Sequence, residues 1–182
     1  MNIIVFHGWG ASENDNWFPW VKELFEPKGI QVTIPHFPNT ENPKLEQWLQ
    51  TFENYLKEIN DETILIGHSL GGPFILSLLE RINKRVKTTI LVSPFCRTLK
   101  DPYANMLVGT FINKDFNWDK IKENGHEFHV LYSDNDTYVP INESIFVAEK
   151  TNATLHLFKG MDHFLFFRGY PKFQQLLFDI IK

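Results

Sequence analysis

The stretch Thr63-Ile64-Leu65-Ile66-Gly67-His68-Ser69-Leu70-Gly71 decides the fold, because it joins a short apolar run to a helical pattern through two glycines. The run from Thr63 to Ile66 is β-branched and apolar, as is typical of a buried strand. The helical pattern covers Phe74 to Ile82, and Pro73 falls in its first turn, where a missing N–H costs little. The stretch therefore predicts a strand, a tight turn with Ser69 at its tip, and a helix.

Short apolar runs alternate with helical patterns along the rest of the chain. Five further strands are predicted: Ile3 to Phe6, Ile30 to Ile34, Val86 to Val92, Phe128 to Tyr132 and Ala153 to Phe158. Four further helices are predicted: Trp17 to Phe25, Pro43 to Ile59, Pro140 to Lys150 and Pro171 to Ile181. Two shorter helices are expected between Ser93 and Gly125. Strands separated by helices imply right-handed crossovers. The predicted fold is a three-layer α/β sandwich with a mainly parallel six-stranded sheet, in a single domain spanning residues 1–182.

Composition narrows the classes of function. The 182 residues carry a formal net charge of −4 and no basic run, so no nucleic-acid partner is expected. No apolar stretch approaches the roughly 20 residues needed to cross a bilayer, and the N-terminus lacks the pattern of a signal peptide. The one cysteine, Cys96, cannot form an intrachain disulfide or a cysteine-based zinc site. We expect a cytoplasmic protein with no membrane partner.

The turn at Ser69 has the form G-x-S-x-G, a pattern that a chain of this length contains by chance about one time in twenty. Placed between a strand and a helix, it is typical of a turn that holds a nucleophilic serine. The turn strains the serine backbone, and the flanking glycines leave room for strand and helix to approach. The free N–H groups at the start of the helix favour developing negative charge. We predict Ser69 as a nucleophile; the alternative is a glycine-rich turn in which Ser69 only caps the helix.

A nucleophilic serine requires a base, and histidine is the usual one. Functional groups of a parallel sheet lie at the carboxyl ends of its strands. Three of the seven histidines precede or lie within strands instead: His126, His129 and His156. His7 and His36 lie at the correct edge and remain rivals by position, whereas His68 is expected to pack beneath the turn. We predict His163 as the base, because it follows the last strand and comes late in the chain, as the order serine, acid, histidine requires.

The acid that orients the histidine should follow the fifth strand. Asp134 and Asp136 both lie there, in the segment Ser133-Asp134-Asn135-Asp136-Thr137-Tyr138-Val139-Pro140. We predict Asp136, because the D-x-x-V-P pattern lets Pro140 open the next helix and turns the carboxylate towards the histidine loop. Asp134 remains a rival whose ordinary role would be to form the turn.

Two backbone N–H groups are predicted to stabilise an oxyanion. One belongs to Leu70, the residue after the nucleophile, and the other to Trp9 in the loop His7-Gly8-Trp9-Gly10. His7 is expected to brace this loop. A metal site of His7 with Asp15 lacks a ligand spacing, so neither a metal nor a cofactor is predicted.

Apolar side chains near this edge suggest a shallow pocket for a small-molecule substrate with a short or medium acyl group. The candidate pocket residues are Phe37, Phe95, Tyr103, Met106 and Phe164. Each of them could equally pack in the core or in a small flap. The stretch between Ser93 and Gly125 is too short for a folded cap domain but long enough for such a flap.

The chain resembles the small α/β-hydrolases that include retinoblastoma-binding protein 9 and YdeN-like serine hydrolases. The matching pieces span nearly the whole chain: His7-Gly8-Trp9, Asn16 to Leu24, Pro35 to Asn39, Ile66 to Gly71, Leu91 to Pro94, Asp136 to Pro140 and Asp162 to Phe164. The resemblance implies a triad of Ser69, Asp136 and His163 and the hydrolysis of small esters. The stretch from Leu56 to Glu62, which corresponds to an L-x-C-x-E segment in the human member, has no cysteine, so that protein partner is not expected here.

Three hypotheses of function follow. The first is a hydrolase that cleaves a small acyl ester, thioester or amide through an acyl-enzyme on Ser69. The second is a binding or scaffold protein whose esterase activity is incidental. The third is an enzyme that transfers the acyl group to an acceptor other than water. The three polar residues in the required chain order favour the first hypothesis.

Overall fold

A computed structural model describes residues 1–165 and 171–181, and it consists of one six-stranded sheet between two layers of helices. The strands are β1 (Asn2–Phe6), β2 (Gln31–Thr33), β3 (Thr63–His68), β4 (Thr88–Val92), β5 (Glu127–Ser133) and β6 (Thr154–Phe158). The helices are α1 (Phe18–Phe25), α2 (Leu45–Phe52), α3 (Gly71–Arg81), α4 (Pro102–Ile112), α5 (Trp118–Gly125), α6 (Ile141–Thr151) and α7 (Pro171–Ile180). Two 3₁₀ helices, Glu26–Lys28 and Glu53–Glu58, continue α1 and α2.

The strand order is β2-β1-β3-β4-β5-β6, and every neighbouring pair is parallel. This arrangement confirms the predicted α/β sandwich. Parallel order places the carboxyl ends of all six strands at one edge of the sheet, where the loops that follow them can meet. None of the helices in the described residues is long and apolar enough to cross a membrane.

The helix predicted from Pro43 to Ile59 differs from the structure, in which α2 ends at Phe52 and tightens into a 3₁₀ helix. Two polar side chains explain the change, because they bond to carbonyl groups of the helix. The Thr51 hydroxyl donates to the Gln47 carbonyl at 2.9 Å, and the Asn54 amide donates to the Thr51 carbonyl at 3.1 Å. Such bonds compete with the regular α-helical pattern and bend or tighten the last turn.

Successive side chains of each strand point to opposite faces of the sheet, so each face has a separate hydrophobic core. In β1, Ile3 and Val5 face the core that α1 and α7 cover, whereas Ile4 and Phe6 face the core that α2 to α6 cover. All four side chains are fully buried. A strand buried on both faces reads as a continuous apolar run, which is why the short runs of the sequence located the sheet so well.

In the turn between β3 and α3, the chain passes so close to neighbouring backbone, including that of β1, that side chains would not fit at two positions. A Cβ atom on Gly71 would lie 2.4 Å from the carbonyl oxygen of Phe6 in β1, and one on Gly67 would lie 2.7 Å from the carbonyl oxygen of Gly71. Neither neighbour is a flexible side chain that could move aside. The two glycines therefore let α3 start directly above the sheet, beside β1.

We expect Gly71→Ala to destabilise the protein by about 3 kcal/mol, because the added methyl group overpacks a rigid backbone contact. Urea unfolding followed by circular dichroism would measure the free energy of unfolding. Gly109→Ala in α4 is the matched control, because its Cβ would meet only the side-chain amide of Asn113, at 2.9 Å. That variant should be neutral or stabilising by up to about 1 kcal/mol. Equal stability of the two variants would contradict the proposed role of Gly71.

Candidate active site

Ser69 lies at the tip of the turn after β3, in a conformation that few residues adopt. Its φ is 52°, in the left-handed region. The Ser69 N–H donates to the Val92 carbonyl at 2.9 Å, and the Ser69 carbonyl accepts the Gly72 N–H at 2.8 Å. A Cβ on Gly8 would lie 3.2 Å from the Cβ of Ser69, so the loop after β1 passes directly against the serine. The half-buried hydroxyl of Ser69 is thereby held at the carboxyl edge of the sheet.

His163 and Asp136 form a buried pair at the same edge. His163 Nδ1 lies 2.9 Å from Oδ2 and 3.0 Å from Oδ1 of Asp136, and the two side chains are 7% and 4% exposed. Because a carboxylate only accepts, the histidine proton lies on Nδ1 in this contact. The other ring nitrogen, Nε2, is then an acceptor and can take a proton from a hydroxyl group.

Asp136 stays ionised although it is buried. Burial alone would raise its pKa, but the bond from His163, the charge of that ring, the Val139 N–H and the nearby Ser93 hydroxyl together lower the pKa below its ordinary value. The N–H groups of Tyr138 and Val139 donate to Oδ1 at 2.9 and 2.8 Å. Ionised Asp136 can therefore stabilise the imidazolium that forms when His163 takes a proton.

Ser69 and His163 line the same cavity at the end of the sheet. Among the described residues, the His163 ring is hydrogen-bonded to Asp136, and no hydrogen bond joins it to Ser69. In proteins without a bound substrate such contacts are often long, and they shorten when the substrate binds. The arrangement allows Ser69 to act as nucleophile with His163 as its base.

The loops after β5 and β6 are joined by hydrogen bonds that the sequence analysis missed. Oδ1 of Asp134 accepts the Gly160 N–H at 2.8 Å. Oδ1 of Asn135 accepts the Asp162 N–H at 2.9 Å, and Oδ1 of Asp162 accepts the Thr137 hydroxyl at 2.7 Å. The two rival aspartates thus have different surroundings: Asp136 faces the His163 ring, and Asp134 holds the backbone of the histidine loop. The only signal in the sequence was the run of turn-forming residues Asp, Asn and Asp.

His68 lies beneath the turn, as predicted, and also holds the backbone of the histidine loop. Its Nε2 lies 2.8 Å from the carbonyl oxygen of His163, so Nε2 carries a proton and donates it. The ring is 2% exposed, and Nδ1 has no partner among the described residues. Burial, with the nearby His163, lowers the pKa of His68 to about 3. His68 is therefore neutral and positions His163 through its main chain.

The neutral state of His68 makes stability depend on pH. Its pKa is about 3 in the folded protein and 6.5 when unperturbed, so between these values the unfolded chain binds a proton that the folded chain does not. Stability is then lost as the pH falls below 6.5. We expect His68 to contribute a loss of about 2 kcal/mol between pH 7 and pH 5.

Urea unfolding of the wild type and of His68→Gln at the two pH values would measure this contribution. Glutamine keeps an N–H donor but cannot be protonated, so the loss between pH 7 and pH 5 should be about 2 kcal/mol smaller in the variant. An equal loss in both proteins would show that His68 is not the buried neutral group.

The two rival histidines lie elsewhere. The buried ring of His7 packs edge-on against Phe37 and Trp48, its Nδ1 lies 3.0 Å from the Gly8 carbonyl oxygen, and burial lowers its pKa. His36 is exposed and pairs with Glu13 at 2.9 Å. His7 braces the loop after β1, as expected. The described residues contain no cluster of three His, Cys, Asp or Glu side chains that could hold a metal ion.

Trp9 and Leu70, whose backbone N–H groups are predicted to stabilise an oxyanion, both lie beside Ser69. Both residues line the cavity beside Ser69, and neither N–H donates to an acceptor within the described part of the chain. The Trp9 indole donates to the Glu41 carbonyl at 3.0 Å, and the Gly10 N–H donates to the Thr40 carbonyl at 2.9 Å. These bonds fix the loop that carries the Trp9 N–H. Free donors beside a nucleophile can bind an oxyanion.

The predicted pocket residues divide into three groups. Phe95 lines the cavity. Tyr103 and Met106 project from α4 with 60% and 66% of their surfaces exposed, and they lie outside the cavity walls. The Tyr103 ring lies 6.3 Å from that of Trp9, on the outer rim. Within the flap predicted between Ser93 and Gly125, α4 therefore presents Ala104 and Val108 to the cavity, not Tyr103 or Met106.

Phe37 and Phe164 are core residues, which corrects their assignment to the pocket. Phe37 stacks on Trp48 with ring centres 4.5 Å apart. Phe164 has a φ of 53° and packs in the core on the opposite face of the sheet, with its ring 5.6 Å from that of Phe158. Both follow strand ends, but the loop backbone turns them inwards, which a position at the sheet edge does not reveal.

The parallel sheet, the strained serine turn after β3 and the histidine–carboxylate pair at the same edge define an α/β-hydrolase. A family model described as serine hydrolase matches residues 3–179, so the chain belongs to the serine hydrolase family.

Two curated proteins and two solved structures are similar to this chain. The chain is 34% identical over 181 residues to YdeN of Bacillus subtilis (strain 168), which covers 98% of this chain and 93% of YdeN. It is 28% identical to serine hydrolase RBBP9 of Rattus norvegicus, over 89% of this chain and 85% of the relative. The crystal structure of the B. subtilis ydeN gene product superimposes with a TM-score of 0.91 at 32% identity, over 98% of this chain and 97% of that one. A meta-cleavage product hydrolase from Pseudomonas fluorescens IP01, at 16% identity and a TM-score of 0.74 over 99% of this chain and 90% of that one, shares the fold.

Proposed function

We propose that this serine hydrolase cleaves carboxylic esters through an acyl-enzyme on Ser69, with His163 as general base and Asp136 as the acid that orients it. The observation that carries the proposal is the buried contact of 2.9 Å between His163 Nδ1 and Asp136 Oδ2, at the cavity that Ser69 also lines. This contact leaves Nε2 of His163 free to accept the serine proton.

The reaction has two steps that use the same groups. Ser69 Oγ attacks the ester carbonyl carbon while its proton passes to His163 Nε2, and the N–H groups of Trp9 and Leu70 bind the oxyanion. The bond to the leaving oxygen then breaks, and His163 gives the proton to the departing alcohol. Water attacks the acyl-enzyme in the second step, gives a proton to His163, and the proton returns to Ser69 as the acid is released.

Labelling with a fluorophosphonate probe tests the nucleophile directly. We expect the wild-type protein to be labelled covalently and Ser69→Ala to remain unlabelled, with labelling measured by intact-protein mass spectrometry. Ser77→Ala is the matched control, because Ser77 is a buried serine of α3 outside the cavity and its hydroxyl has no partner among the described residues. It should label like the wild type.

The other two hypotheses give different results. Absence of labelling in the folded wild type would favour a binding or scaffold protein. An acyltransferase would be labelled but would pass the acyl group to an added alcohol or amine faster than to water, which the ratio of products measures.

The cytoplasmic location stays a prediction, for which cell fractionation is the measurement.

A further inference from the structure

The cavity at Ser69 consists of two lobes of unequal size. The larger lobe has a volume of about 700 Å³ and the smaller about 300 Å³. Residues common to both walls include Trp9, Ser69 and His163, so the lobes meet at the reacting groups. A substrate whose reacting carbonyl lies at Ser69 can therefore extend one arm into each lobe.

The lobes differ in chemistry as well as in size. Side chains of α4, of the turn after β3 and of the loops after β4 and β5 make the larger lobe apolar: Leu70, Phe95, Leu99, Ala104, Val108 and Val139. Of its charged groups, Glu41, Lys100 and Asp101 are exposed, and Asp136 is paired with His163. A cavity of this volume and apolar lining lies within the range that holds a small organic ligand.

The smaller lobe is more polar than the larger one, although Trp9, Ala11 and Leu165 also line it. Its wall includes the exposed carboxylate of Asp15, the half-buried Asn16 and the backbone of Gly8 and Gly10. Oδ2 of Asp15 accepts both the N–H and the hydroxyl of Ser12, at 2.7 and 2.8 Å. A carboxylate held in this way at the surface keeps its water of hydration, so an apolar chain would gain little by entering this lobe.

The chemistry of acyl transfer assigns a different arm of the substrate to each lobe. The acyl group stays bonded to Ser69 after the first step, whereas the alcohol leaves with the proton from His163. Water must then attack from the position that the alcohol has left, because the second step is the reverse of the first with water in place of the alcohol. The smaller lobe is the more polar and the more open of the two, so water can approach from its side, which is then the side of the leaving group.

We propose that the larger lobe binds the acyl chain and the smaller lobe the alcohol, so that the substrates are esters of a medium-length apolar acid with a small polar alcohol. This inference rests on the proposed function and adds the orientation of the substrate, that is, which lobe holds the acyl chain and which holds the alcohol. It also makes α4, through Ala104 and Val108, the element that limits the length of the acyl chain.

A pair of isomeric esters tests the direction. Ethyl octanoate and octyl acetate have the same atoms and nearly the same hydrophobicity, but the long chain is on the acyl side in the first and on the alcohol side in the second. We expect kcat/KM for ethyl octanoate to exceed that for octyl acetate by about tenfold or more, because only the larger lobe buries the chain. Release of acid, followed by pH-stat titration, measures both reactions.

Two alanines, one in each lobe, provide matched variants. Ala104→Phe adds a ring to the larger lobe and should lower kcat/KM for ethyl octanoate relative to octyl acetate by about tenfold. Ala11→Phe adds the same ring to the smaller lobe and should not lower that ratio. Met106→Phe, on the exposed side of α4, controls for the effect of a new ring on the helix itself. The thermal unfolding temperature of each variant shows whether it is folded.

The outcomes separate the two proposals. If octyl acetate is the better substrate and Ala104→Phe lowers its rate, the assignment of the lobes is overturned. If 4-nitrophenyl acetate is cleaved but neither isomer is, the larger lobe does not bind an acyl chain, and the proposed function still stands. If Ser69 is not labelled and no ester is cleaved, the proposed function itself fails.

Discussion

Replacing His163 with alanine is expected to lower kcat for 4-nitrophenyl acetate by on the order of 10³ or more, and Ser69→Ala should have a similar effect. Without the imidazole there is no acceptor for the serine proton, and without the hydroxyl there is no nucleophile. Because the two groups act in the same step, the double variant should be no slower than the slower of the single variants. Steady-state kinetics on purified proteins would measure all three values.

His36→Ala is the matched control for this prediction. His36 also follows a strand at the carboxyl edge of the sheet, but it is exposed and pairs with Glu13. Its replacement should leave kcat within about twofold of the wild type, because surface substitutions away from a site have small effects. A Ser69→Ala protein with near-normal esterase activity would contradict the assignment of Ser69, and losses that multiply in the double variant would contradict a shared step.

Asp136→Asn is expected to lower kcat by about 10³ to 10⁴. The amide is nearly the same size as the carboxylate, but it is neutral and can offer an N–H to the histidine ring. His163 would then lose the charge that stabilises its protonated form and could carry its proton on the wrong nitrogen. The same kinetic assay measures the loss, and the free energy of unfolding shows whether the variant is folded.

Asp134→Asn separates this effect from a general disturbance of the loop. An asparagine at position 134 keeps an amide oxygen that can accept the Gly160 N–H, so kcat should fall by less than about tenfold. If Asp134→Asn were the more damaging of the two substitutions, the rival aspartate would be the acid. Equal large losses in both variants would mean that the loop, and not one carboxylate, determines activity.

The sequence predicted the inner strands well because β1, β3 and β4 are buried on both faces. Runs such as Ile64-Leu65-Ile66 have no polar residue to interrupt them, and a helix or a turn residue bounds each one. Because parallel strands end on the same side, Ser69, Asp136 and His163 were predicted to lie at one edge. The order of the residues along the chain then favoured His163 over the other histidines, and the contact between His163 and Asp136 agrees with that prediction.

The pocket could not be predicted in the same way, because it depends on the direction in which loop side chains point. Phe164 and Phe95 both follow strand ends, but a positive φ accompanies the burial of Phe164 in the core, while Phe95 reaches the cavity. Ala104 and Val108 of α4 line the cavity, and small apolar side chains of this kind give no signal in a sequence that distinguishes a cavity wall from a core. The role of His68 was also hidden, because its partner is a backbone carbonyl far along the chain.

The bond from His68 to the His163 carbonyl has a mechanical consequence. His68 and Ser69 are consecutive residues, so the peptide that carries the nucleophile also carries the tether of its base. When thermal motion displaces this corner of the molecule, the hydroxyl and the imidazole are carried in the same direction. The two groups can therefore move together while the distance between them changes little. The hydroxyl and the imidazole stay aligned even if the loops at the carboxyl edge of the sheet are not rigid.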